Sequence, residues 1–201
     1  MNLKPVLLVA LLASLVLLPG CTKPATWVGV TPGEMVVCDR LAVRIDGAWS
    51  RLEGTQQPKH DVWTSEGMPL DQLHFHTGIA EGESLVVVKD RPADKPIPRF
   101  RKDMQAQDVV EMYEAFASRD GSVFKLEKLA PARFADENGF RFEFSRVRKG
   151  DEVRTRGVAY GAIHRGELFL MVYEAPRIHY FTKHLPQVEA IAQSAHPREK
   201  G

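Results

Sequence analysis

With two cysteines in 201 residues, the chain has no disulfide framework to hold it, and its stability must come from a buried core. It has no apolar run of the roughly twenty residues that a spanning helix needs; Val6 to Leu18 reaches thirteen and is interrupted by Ser14. Net charge is almost absent. Lys4 is the one charged side chain among the first twenty residues, and beyond it 26 basic side chains face 26 acidic ones. Such a chain exerts no general pull on nucleic acid, and no nucleic-acid partner is expected. Catalytic signatures are missing as well: there is no G-x-S-x-G elbow, no H-E-x-x-H pair and no glycine-rich phosphate loop. The expectation is a protein that is not an enzyme and carries no cofactor. Repeats and low-complexity segments are also absent, and 44% hydrophobic content over this length suits one core rather than two.

What is present at the start reads as an address. Lys4 is a basic n-region and Val6 to Leu18 an apolar h-region, so residues 1–20 predict a cleaved leader. Leu18-Pro19-Gly20-Cys21 resembles the lipobox of bacterial lipoproteins, with Gly20 as the small residue before the cut and the Cys21 thiol as lipid acceptor. Pro19 departs from the usual small residue there. Several acyl chains on one cysteine anchor a protein stably where one chain does not. The resemblance, with Thr22 and no aspartate after the cysteine, implies an outer-membrane lipoprotein facing the periplasm. Pro24, Gly29, Pro32 and Gly33 make residues 21–33 a short tether, leaving 34–196 as a single domain, expected to be monomeric. With Cys21 acylated, Cys38 has no partner; beside Met35, Val36 and Val37 it is expected in a buried strand, as a small core hydrophobe.

Periodicity supplies the rest. Leu41, Val43 and Ile45 alternate with Ala42 and Arg44, and after Asp46-Gly47 the run Trp49 to Leu52 is expected to pair back on them. A turn around Gly67 to Pro69 separates Val62–Thr64 from a strand Leu73–Ile79, with Leu73, Phe75, Thr77 and Ile79 on one face and His74 and His76 on the other. Leu85 to Val88 is short and apolar enough for another strand, and the proline-rich Arg91 to Arg99 is a loop. Val109, Met112, Tyr113 and Phe116 predict a helix over 105–119, with Gly121 just past its end. Ser122 to Leu129 reads as a strand, Ala130 to Phe134 as irregular, and Asn138-Gly139 as the turn into a three-stranded meander. That meander is the clearest feature of the chain: Phe140, Phe142 and Phe144 share one face, and Val153–Ile163 and Glu167–Glu174 follow across short turns. Leu168, Leu170 and Val172 oppose Phe169, Met171 and Tyr173, so the last strand needs cover on both faces. Leu185, Val188, Ile191 and Ala192 predict a final helix over 180–195, with Pro186 starting or kinking a stretch. The class is α+β: an antiparallel sheet of about six strands flanked by helices.

The order Gly139-Phe140-Arg141-Phe142-Glu143-Phe144, Arg156-Gly157-Val158-Ala159, Leu168-Phe169-Leu170-Met171 and a closing Ile191-Ala192-Gln193-Ser194 resembles the PsbP-like domains, named for an extrinsic subunit of photosystem II and shared by many bacterial envelope proteins. Trp63-Thr64-x-x-Gly67-x-x-Leu70-Asp71 through Gly78-Ile79 is similar to a group of uncharacterised proteobacterial lipoproteins. Neither likeness carries a catalytic residue. What the family implies is a non-catalytic, accessory role, with an envelope protein as partner.

The one sharp site candidate is His74-Phe75-His76. Histidines two apart on a strand point the same way and offer two metal ligands, with His60, Glu66 and Asp71 as donors nearby in sequence. This makes a metal-binding protein the alternative reading. The carboxylate pairs Glu66 with Asp71 and Asp136 with Glu137 read as loop solvation. Arg91, Lys95, Arg99, Arg101 and Lys102 read as a solvated basic loop, and Arg177, His179, Tyr180, Lys183 and His184 as a polar and aromatic group beside the last helix.

Overall fold

The computed structural model describes residues 25–55, 57–87 and 97–198. Cys21 with its lipobox, and Arg91 and Lys95 of the basic loop, lie outside the described residues. The elements are β1 (Thr26–Val30), β2 (Gly33–Val37), β3 (Leu41–Ile45), β4 (Trp49–Glu53), β5 (His60–Thr64), β6 (Gln72–Ile79), α1 (Ala106–Ala117), β7 (Val123–Phe134), β8 (Glu137–Val147), β9 (Arg154–His164), β10 (Glu167–Pro176), α2 (Tyr180–Ser194) and β11 (His196–Pro197). An eight-stranded sheet runs β1-β4-β5-β6-β10-β9-β8-β7, and a second sheet runs β11-β3-β2. The architecture is an antiparallel sheet with two helices, as expected, but the described strands number eleven rather than about six.

The surplus comes from segments read as connections. Thr26 to Val30, placed in the tether, pairs with β4 over its whole length and forms one edge of the large sheet. The run Trp49 to Leu52 does not pair back on β3; it lies between β1 and β5, while β3 pairs with β2 and β11. Ala130 to Phe134 is strand rather than irregular, because β7 is the other edge and Pro131 there has no ladder bond to lose. The hairpin into β8 is closed by Ala135 and Asp136, both at positive φ, and not by Asn138-Gly139, which already pair within the strands. Leu85 to Val87 is no strand: the Val87 N–H donates to Gln57 Oε1 at 2.7 Å, and Gln57 Nε2 donates to the Val87 carbonyl at 2.8 Å. That amide occupies both groups a ladder would use. Cys38 is likewise not in a strand; with Asp39 it makes the β2–β3 turn at φ 48° and 56° and is half buried. Pro186 neither starts nor splits α2, which runs through it.

The central strands are covered on both faces. On one, α1 sets Val109, Met112 and Tyr113 against Phe140, Phe142, Phe144, Ala159, Leu168, Leu170 and Val172. Asp108 starts that helix by accepting the Gln105 N–H at 2.7 Å, which satisfies an unpaired donor at its N-terminus. On the other face, α2 and the small sheet bring Val188, Ile191, Leu41, Val43 and Ile45 against Val158, Tyr160, Phe169, Met171 and Tyr173. The three phenylalanines have room because β9 opposes them with small residues: Phe140 pairs with Gly161, Phe142 with Ala159 and Phe144 with Gly157.

Candidate functional site

The β5–β6 hairpin builds the histidine site. Its register sets His60 opposite His76 and Val62 opposite His74, so His60 joins the pair that the sequence pointed to. His60 Nε2 and His74 Nδ1 are 3.0 Å apart, and the two rings, with centroids 5.3 Å apart, lie within 3° of parallel. His74 Nε2 is 3.0 Å from Gln72 Oε1. An amide oxygen only accepts, so His74 carries its proton on Nε2 and its Nδ1 accepts from His60 Nε2–H. That assignment leaves the lone pair of His60 on Nδ1. His76 stacks on His60, with centroids 4.6 Å apart and planes 8° apart, and its Nδ1–H donates to the Leu85 carbonyl at 3.0 Å.

The face these rings occupy is not the solvated one. His74 pairs across β6 with Val172, and His76 with Leu170, both on the α1 side of the sheet, and the Phe116 ring meets His76 edge-on at 6.4 Å. Ile79 was expected opposite the histidines, but the β6–β10 register shifts beside Gly78, at φ 62°, and Ile79 drops into the α1-side core with them. Burial governs the titration. It pushes His60 down to about 4. Burial, then the His60 and Arg146 charges, push His74 down to about 3. Burial, then His60 and His74, hold His76 well below its ordinary value. All three are neutral imidazoles at neutral pH. Beside His60 opens a cleft of about 250 Å³, lined also by Lys59, Gly82, Glu83, Leu85 and Arg99.

Neutral imidazole is a metal ligand, but the arrangement spends both His74 nitrogens, and one each of His60 and His76, on hydrogen bonds. A ligand lone pair lies in the ring plane, and the near-parallel planes of His60 and His76 do not direct theirs to one point. Among the described residues, no three His, Cys, Asp or Glu side chains are grouped to hold an ion. The other donors considered from the sequence go elsewhere. Asp71 is fully buried and clamps the β5–β6 turn, accepting from Thr64 Oγ1 at 2.7 Å, Ser65 N–H at 2.9 Å and Glu66 N–H at 2.7 Å. Glu66 reaches α2, where it pairs with Lys183 and with His184 Nε2, the latter at 2.8 Å; those two contacts hold its carboxyl below the usual range. Asp136 is a turn residue, and Glu137 meets His164 Nδ1 at 2.8 Å. Of the basic loop, Arg99 donates to the Gly82 carbonyl, Arg101 pairs with Asp103 at 3.2 Å, and the Lys102 N–H donates to Glu81 at 2.7 Å. His179 precedes α2 at φ 74°, and Tyr180 and Arg177 flank it.

A second polar group escaped the sequence. Asp61, nearly buried on β5, meets Arg51 Nε at 2.7 Å, and burial pushes its carboxyl up despite that partner. Cys38 sits beside it, and burial with the Asp61 charge pushes the thiol up to about 11. The thiol therefore stays protonated and is a poor nucleophile. Only the strand order β1-β4-β5 brings Arg51 to Asp61, and no local pattern announces that order. His60 was within reach: counting back from the Gly67–Pro69 turn places it across from His76.

No known protein family matches the chain, and no curated protein does. Thirteen solved chains resemble it in structure. One is the solution structure of cyanobacterial PsbP (CyanoP) from Synechocystis sp. PCC 6803, with a TM-score of 0.53 at 16% identity over 89% of this chain and 96% of that one. A second, from Bacteroides thetaiotaomicron, has a TM-score of 0.49 at 6% identity, over 86% of this chain and 50% of that one. At such identity the likeness to CyanoP concerns the fold, which is PsbP-like.

Proposed function

We infer that the protein is a lipoprotein held by acylated Cys21 to the outer membrane, facing the periplasm, where it serves a non-catalytic, accessory role by binding another envelope protein. The observation that carries this reading is the position of Leu18-Pro19-Gly20-Cys21: the acceptor thiol stands five residues ahead of β1, where the described fold begins. Partner binding draws support from the end of the sheet remote from the start of β1. There Met68, Val123, Val147 and Ile178 are exposed, set at that end by the Val123–Val147 pair, by the Arg177 N–H on the Arg154 carbonyl and, for the β5–β6 turn that carries Met68, by the Gln72–Glu174 pair. Exposed apolar side chains gathered at one end suit a protein contact.

Cys21→Ala should abolish incorporation of labelled palmitate and move the protein from the membrane pellet to the soluble fraction or leave it unprocessed. Retention of label in that variant would refute the anchor. The second reading, a periplasmic metal protein using His74 and His76, is favoured by the arrival of His60 beside them, and it requires the imidazoles to exchange their hydrogen bonds for an ion. Calorimetric titration with zinc should give equal, weak heats for the wild type and for His74→Ala/His76→Ala. Tight one-to-one binding lost in the double variant would establish the metal reading instead.

A further inference from the structure

The two edges of the large sheet are built differently. The β7 edge carries Lys125, Glu127, Lys128, Pro131 and Arg133, the charges and proline that keep an open edge from pairing. The β1 edge, Thr-Trp-Val-Gly-Val, carries no charge and no proline. It is also bare on both faces: Trp27 and Val28 point to opposite sides of the strand, yet each is 42% exposed, and nothing lies within 4 Å of where a Cβ on Gly29 would stand. Of β1, Val30 alone is buried. A run of four exposed, uncharged residues on an open edge needs an occupant.

The chain ahead of it says which. Four residues separate Cys21 from Thr26, so five Cα-to-Cα steps join them, and fully extended they span at most about 18 Å. On the lipoprotein reading above, on which this inference rests, the first residue of β1 therefore never leaves the neighbourhood of the lipid headgroups. The geometry points to β1 as a second membrane contact, with the Trp27 indole seated in the headgroup layer of the same leaflet that holds the acyl chains. Tryptophan suits that layer, since its ring is apolar and its N–H polar. The contact is apolar rather than ionic, because β1 is uncharged. The acyl chains then hold the molecule to the bilayer while β1 fixes which way it faces, and the end that exposes Met68 and Ile178 points away.

The three tryptophans make this measurable. Trp49 is 2% exposed and Trp63 fully buried, so only Trp27 is open to a quencher in the lipid. The test uses the full acylated protein reconstituted into phosphatidylcholine vesicles, with and without phosphatidylcholine brominated near the head of its acyl chain. Bromine should remove about a third of the emission, the share of one tryptophan in three, at low and at high salt alike. In Trp27→Phe, a surface change that leaves the core intact, bromine should remove none. Wild-type protein that carries its acyl chains and floats with the vesicles, yet is not quenched, overturns this proposal and leaves the anchor standing. Protein that carries no acyl chain overturns both. Efficient disulfide cross-linking of a Gly29→Cys variant between copies, with Trp27 unquenched, assigns β1 to a second copy of the chain and likewise overturns the membrane contact.

Discussion

Gly157→Ala should lower the unfolding free energy by about 3 kcal/mol, the upper part of the usual range for an overpacked core, although alanine is the smallest possible addition. A Cβ there would stand 2.0 Å from Phe144 Cζ and 2.3 Å from Cε1, far inside van der Waals contact. The ring has nowhere to retreat: Phe144 is fully buried, with Phe124 stacked at 4.8 Å and Tyr113 at 5.6 Å. Gly161→Ala should behave alike against Phe140, whose Cζ would lie 2.3 Å from the added methyl carbon. Urea denaturation measures both. The decisive variant is Gly157→Ala with Phe144→Leu, in which the smaller side chain vacates the space; it should be more stable than the sum of its parts by about 1–3 kcal/mol. Strict additivity, or a neutral Gly157→Ala, would mean that β9 does not lie against the phenylalanine face as described.

The histidine cluster predicts a fold that weakens in mild acid. In the folded chain His60 titrates near 4 and His74 near 3, with His76 also depressed, whereas an unfolded imidazole titrates near 6.5. The unfolded state therefore binds more protons between these limits. Stability is complete above about pH 6.5 and drains away as the pH falls toward 4, each such histidine adding a slope of up to about 1.4 kcal/mol per pH unit. Between about pH 6.5 and 5 unperturbed carboxylates are still ionised, so the loss there reports the imidazoles. Calorimetric Tm should fall steadily over that window. His60→Gln keeps a donor toward His74 Nδ1 but cannot titrate, and it should flatten the slope whatever it does to the Tm at pH 7. A Tm indifferent to pH over the same window would show that these rings are not buried neutral.

Much of this was legible along the chain, and the parts that were not share a cause. The phenylalanine face of β8, the alternation of β10 and the stripe of α1 are local patterns, and each became the element its period required. Pairing partners are non-local. Nothing in Trp49 to Glu53 distinguishes β3 from β1 and β5 as a neighbour, and the wrong choice also hid β1 in a tether. Pro131 reads as a break until β7 is known to be an edge. Ile79 leaves the alternation of β6 because one residue of register slip at Gly78 reverses every side chain beyond it. The histidines show the same limit: their shared face was readable, but that α1 and the Leu85 carbonyl would close over it was not.

Covering β9 and β10 on both sides has a mechanical consequence. Val158 and Ala159, or Met171 and Val172, are chain neighbours that belong to opposite cores. Lifting α1 away strips one set and loosens the strands that the other set stands on, so the two layers cannot melt in turn. The domain should come apart in a single endotherm, and a protease should meet either the intact molecule or the open chain, with no half-dismantled form to trim.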